Sequence, residues 1–176
     1  MIDSIILKES SADLESLCRS VEAKLSRTQV LSGMLLPVEL LEDFDDLPEA
    51  TKSQAQRHTS AAYRRSTKSI YINRRTFMPL HREVQESVLA HEIGHALAHR
   101  DSLMKNSELY SEFGAFGEEF LADRLACEWG FFDGVRMERI HSYGAPYVKA
   151  LEKWEDETEY CKAMKIWHIQ KLAGIV

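Results

Sequence analysis

Apolar residues recur at three- and four-residue spacing in several stretches of the chain, and each such stretch predicts an amphipathic helix. Leu14, Leu17, Cys18, Val21 and Leu25 mark one from about Ser11 to Thr28, with Ser10 or Ser11 as its cap and Asp13 in its first turn. Val84, Val88, Leu89, Ile93, Ala96 and Leu97 mark a second, His81 to Arg100, the clearest of the set. A third, Glu118 to Trp129, carries Phe120, Leu121, Leu125 and Ala126. In a fourth, Ala145 to Leu172, Tyr147, Leu151, Trp154, Cys161, Met164, His168 and Leu172 recur. Only Ser69-Ile-Tyr-Ile-Asn73 alternates with β-branched and aromatic residues, so it reads as a strand, with Tyr63 to Arg65 as its partner across a turn. Gly33 to Leu47 is read as loop plus a short helix, Pro48 to Thr67 as a polar stretch and Met104 to Gly117 as a connecting loop.

The fold class expected from this pattern is α+β: a mostly helical domain with a short sheet beside the 81–100 helix. At 176 residues, 44% of them apolar, the chain has the size and the core material of one domain. Within it, residues 1–30 would form the N-terminal helical part, 63–130 the core of the site and 145–172 a C-terminal helix. No run approaches the roughly 18 apolar residues of a membrane span, and the N-terminus does not read as an export signal, so the expected location is cytoplasmic, away from membranes.

The three cysteines, Cys18, Cys127 and Cys161, are far apart and form no Cys-x-x-Cys pair, which excludes a cysteine zinc knuckle and favours reduced thiols. The tryptophans at 129, 154 and 167 read as core or partner-facing aromatics. No phosphate loop, Gly-x-Ser-x-Gly elbow or Cys/His dyad is present.

Candidate chemistry sits on two helices. His91 and His95 are four apart, hence on one helix face, and both imidazoles can reach one metal ion. Glu92 lies at the edge of the same site as a candidate general base, where its carboxylate can take a proton from water that zinc has acidified to a pKa of about 7. A catalytic zinc needs a third protein ligand and an open position. Glu119 on the next helix supplies that ligand, and Asp123, four residues on, would accept a ring N–H from a ligand histidine. Glu118 reads as an acid suited to a helix start. His99 is roughly 6 Å beyond His95 on a straight helix, too far to share a tetrahedral ion, and no glycine follows His95 to bend it inward. His141 and Tyr143 are candidate donors to an oxyanion, with Tyr147 nearby.

Taken in order, Ser69-Ile-Tyr-Ile-Asn-Arg-Arg, the His81–Arg100 run containing His-Glu-Ile-Gly-His, and Glu119-Phe-Leu-Ala-Asp-Arg-Leu-Ala resemble the ImmA/IrrE-type metallopeptidases over about residues 63–130. The resemblance implies His91, His95 and Glu119 as ligands of one Zn2+ and Glu92 as base. It also implies an endopeptidase acting on a protein substrate, a transcriptional repressor that binds DNA, in a stress, phage or defence circuit. A reading from another class is a non-catalytic zincin-fold sensor or binding module, against which the intact Glu92 argues.

Charge adds one further expectation. The chain's net charge is −6, yet no acidic residue falls between Thr51 and Arg82, where eight basic ones do. Arg64, Arg65, Arg74 and Arg75, interleaved with Tyr63, Tyr71 and Phe77, would suit a single-stranded DNA activator, a natural damage signal. The plainer reading is a basic face that pairs with the acidic remainder of the protein.

Overall fold

The computed structural model describes residues 5–8, 11–28, 31, 33–44, 60–100, 114–153, 165, 166 and 169. Among these residues, four strands and six α-helices follow one another: β1 (Ile5–Leu7), α1 (Ala12–Leu25), β2 (Leu36–Leu41), β3 (Ala61–Arg64), β4 (Ser69–Asn73), α2 (Arg74–Phe77), α3 (Arg82–Arg100), α4 (Ala115–Ala126), α5 (Phe132–Ser142) and α6 (Ala145–Glu152). The architecture is the expected mostly helical α+β fold.

The sheet has strand order β1-β2-β4-β3. β1 runs parallel to β2 and β2 parallel to β4, while β3 and β4 form the antiparallel pair expected from the sequence, with Tyr63 opposite Ile70 and Arg64 opposite Ser69. All five residues of β4 are buried, as befits a strand flanked on both sides. Its last residue, Asn73, takes a second role: its side chain accepts the Arg75 N–H at 3.1 Å and so caps α2.

The reading of 33–47 as loop and short helix is corrected by β2. Leu36, Val38 and Leu40 face the core while Pro37, Glu39 and Leu41 are half-exposed, an alternation of period two. Pro37, which donates no ladder hydrogen bond, and four apolar residues among the other five obscured that period. β1, too, had not been anticipated. The 104–117 connection is shorter than expected at its end, because α4 starts at Ala115, and the expected Glu118–Trp129 helix breaks after Ala126 into a wide π-type turn at Cys127–Phe131. There Gly130 sits at φ 89°, a conformation that favours glycine. α5 follows directly and was missed. The C-terminal helix is described over Ala145–Glu152; Trp154, Cys161, Met164, Trp167, His168 and Leu172 lie outside the described residues.

Helix α3 is buried along fifteen of its 19 residues, Val84 to Ala98. Ile70 and Ile72 of the sheet, Leu17 and Val21 of α1, Phe120 and Leu125 of α4, Val135 of α5 and Leu151 of α6 all join α3 in one hydrophobic core. Two glycines permit the closest approaches. A Cβ on Gly94 would stand 3.2 Å from the backbone of Ala122 in α4, and one on Gly134 of α5 would stand 2.2 Å from the Glu83 carbonyl of α3. No helix among the described residues is long and apolar enough to cross a membrane.

Candidate metal centre

Because α3 is a straight helix, His91 and His95 project one turn apart from the same face, and their Nε2 atoms lie 3.0 Å apart. α4 crosses α3 at Gly94 and Ala122, and this backbone contact brings Glu119 over the two rings. Glu119 Oε2 stands 3.2 Å from His91 Nε2, and its Oε1 3.4 Å from His95 Nε2. The three side chains offer ligand atoms all within 4.8 Å of one another, the sole such group of His, Cys, Asp and Glu among the described residues. Two imidazole nitrogens and one carboxylate form the donor set of a catalytic zinc site. Two buried ring nitrogens that converge at this distance, with a carboxylate beside them, fit a cation between them.

The far side of His91 is fixed by Asp123. Its Oδ1 accepts from His91 Nδ1 at 2.7 Å, so the Nε2 edge of the His91 ring is the one turned toward Glu119. Asp123 is fully buried and accepts three more bonds: from Arg139 Nε at 2.9 Å, from Arg139 Nη2 at 3.1 Å and from the Tyr147 hydroxyl at 2.6 Å. Burial alone would raise its pKa, but Arg139 and His91 outweigh it and hold the carboxyl at about 2. Burial likewise disfavours protonated His91 and His95. Asp123 and Glu119 overcome this for His91, which lies well above the usual range, and Glu118 and Glu119 raise His95 to about 9. Glu119 is held far below the carboxylate range, burial notwithstanding, by the same two histidines. The site is thus a pocket of ionised carboxylates that favours positive charge.

Glu92, buried like its neighbours, accepts the backbone N–H of Tyr63 on Oε2 at 2.6 Å. That donor belongs to β3, an edge strand, so one side of the candidate base is anchored to the sheet. Of the candidate oxyanion donors, His141 is exposed on α5. Tyr143 is half-buried, packs on Tyr147 and lies under the Arg139 guanidinium. Its hydroxyl is kept protonated by burial and by the negative charge of Glu119 and Asp123, against the influence of Arg139.

The four candidate nucleic-acid residues are not grouped. Arg74 and Arg75 pair with Glu42 and Asp43, and Arg65 contacts His99. Arg64 has buried Nε and Nη2 atoms without hydrogen-bond partners among the described residues. Arg139 escaped the sequence reading, as did the role of Tyr147 as a donor to Asp123. The two lie 16 and 24 positions from Asp123, and no local pattern links them to it.

A paired-histidine helix with a carboxylate from a crossing helix as third ligand, beside a short sheet, defines a metallopeptidase-like centre. Residues 46–126 match the family model Peptidase_M78, the IrrE N-terminal-like domain. The resemblance to ImmA/IrrE-type metallopeptidases therefore holds over that segment, which carries His91, Glu92, His95, Glu119 and Asp123; Arg139 and Tyr147 lie beyond it. No curated protein and no solved structure matches the chain.

Proposed function

We propose that this chain is a zinc-dependent endopeptidase acting in the cytoplasm. The observation that carries the reading is the convergence of His91, His95 and Glu119 on one point, with Glu92 beside them and held by Tyr63 N–H. Zinc bound there would polarise a peptide carbonyl and acidify water. Glu92 takes the proton from the attacking water on Oε1, its Oε2 being engaged by Tyr63, and passes it to the leaving amine. Tyr143 donates to the developing oxyanion. Asp123, anchored by Arg139 and Tyr147, keeps the His91 ring turned toward the ion. The core running from Ile5 to Ile169 supports treating the chain as one catalytic unit.

The substrate we propose is a DNA-binding repressor in a stress, phage or defence circuit, a reading that rests on the family resemblance. It is tested by incubating the protein with the regulator encoded beside it and identifying fragments by mass. The mechanism is tested by Glu92→Gln, which preserves shape but cannot accept a proton at neutral pH. Fold and zinc content should match wild type while cleavage falls by about 10²–10⁴. Wild-type cleavage by this variant would refute the mechanism. Zinc binding without cleavage by the wild type, on any candidate regulator, would favour a zincin-fold binding module instead.

A further inference from the structure

Outside the ligand set, one cluster at the rim of the site has no part in the chemistry above. His95 Nδ1, the ring nitrogen turned away from the metal point, is buried and finds no aligned acceptor among the described residues. The nearest is Glu118 Oε1 at 3.2 Å, out of line for a straight bond. The same oxygen lies closer to His99 Nε2, at 2.6 Å. His99 in turn is held from β3 and the turn that follows it: Arg65 Nε lies 2.9 Å from both its Nδ1 and its Nε2, and the Tyr63 ring stacks on it with centroids 6.0 Å apart. Two imidazoles therefore face one carboxylate oxygen, and the one outside the ligand set has the shorter contact.

From this juxtaposition we infer that Glu118 is the positioning residue of His95, as Asp123 is of His91, and that His99 competes with His95 for it. The inference rests on the metal-centre reading. A ligand histidine binds well when its far N–H has an acceptor that fixes ring and tautomer. His91 has such an acceptor in full, at 2.7 Å and in line. His95 gains a straight bond when Glu118 turns toward it, away from its closer contact with His99. Because Arg65 and Tyr63 hold His99, the edge strand governs how much of Glu118 is left for the ligand. The two histidines thus differ: one is locked by α4, α5 and α6, and the other is adjustable from the sheet.

The test is zinc affinity of the full-length protein, measured by competition with a chromophoric chelator, alongside the melting temperature of each metal-free variant. Glu118→Ala should weaken zinc binding by about 10- to 100-fold with little change in metal-free melting, and Glu118→Gln, which keeps an acceptor, should recover part of the loss. His99→Phe, which keeps a ring against Tyr63 but removes the rival donor, should bind zinc more tightly than wild type. The cobalt-substituted forms should show the same order of perturbation in their visible bands, since these report ligand geometry rather than stability. Wild-type affinity in Glu118→Ala would overturn the positioning role, and affinity equal to or below wild type in His99→Phe would overturn the competition. Absence of zinc binding by the wild type and by these variants alike would instead remove the metal centre, and this inference with it.

Discussion

Asp123 is the most fully engaged side chain in the site. Four donors occupy its two oxygens, and two of them come from one buried guanidinium. Asp123→Asn should cost about 3–5 kcal/mol, because the buried Arg139 would lose its nearer counterion and keep only Glu138, at 3.6 Å. It should also lower zinc affinity about 10- to 100-fold by releasing the His91 ring. Tyr147→Phe removes one neutral donor and leaves the Arg139 bonds, so about 1–2 kcal/mol should be lost with affinity close to wild type. Chemical denaturation and chelator competition on the two variants separate these effects. A Tyr147→Phe protein with the zinc affinity of Asp123→Asn would show that the anchoring is misassigned. At this scale the sequence was legible where spacing is local: His91 and His95 share a helix face, as do Glu119 and Asp123. The Arg139 and Tyr147 partners were not, because they reach Asp123 through a chain reversal that only the assembled helices specify. His99, set aside as a ligand for its distance, turned out to sit on the same carboxylate as a true ligand's far nitrogen.

Among the elements, α3 was easy to find because its apolar positions recur so regularly, but its near-complete burial was not, since Gln85, Glu86, His91, Glu92 and His95 are polar and nothing local shows what covers them. Each of those polar groups meets a partner from another element. Glu86 docks α1: Ser20 Oγ and Lys24 Nζ each donate to it at 2.7 Å, and Arg82 Nε at 3.3 Å. Burial would raise its pKa, but the bonds from Lys24 and Ser20 outweigh this and lower it. A carboxyl whose pKa is lower folded than unfolded stabilises fully above the unfolded value and loses that contribution as pH falls through the folded one. Glu86→Gln should therefore cost about 1–3 kcal/mol at neutral pH, and the gap in melting temperature from wild type should close as pH falls below about 4. A gap that stays constant down to pH 3 or so would contradict this linkage. Glycine sets the other contacts. Gly134→Ala puts a methyl 2.2 Å from a backbone carbonyl, so α5 must shift from α3, at a cost of about 1–3 kcal/mol or more. That loss would be read by urea denaturation, and a variant as stable as wild type would mean that α5 moves freely. Strand β2 escaped the sequence reading for a related reason: its period-two pattern contains a proline and too many apolar residues to stand out, and only its pairing with β1 and β4 reveals it.

For the molecule as a whole, the acid-free stretch between Thr51 and Arg82 divides into pieces. Arg74 and Arg75 are matched by Glu42 and Asp43, which accords with the plainer reading of a basic stretch paired with the acidic remainder. We keep the single-stranded DNA activator as a proposal, with its strand required to displace those carboxylates. Fluorescence anisotropy with a labelled oligonucleotide should show binding that weakens steeply with salt and falls on replacing Arg64, Arg65, Arg74 and Arg75 by alanine; no binding at low salt would end the proposal. The strand order carries a different consequence. β3 and β4 are joined by a turn of four residues, whereas β1 meets β2 and β2 meets β4 only across some thirty positions of intervening chain. Closing such loops is entropically slow, and a three-residue strand at an edge has little to hold it once formed. Backbone amides should then exchange with solvent deuterium in a graded order, β1 first and the internal β4 last, so that the sheet frays first from the side remote from Tyr63 and the anchor of Glu92 outlasts β1.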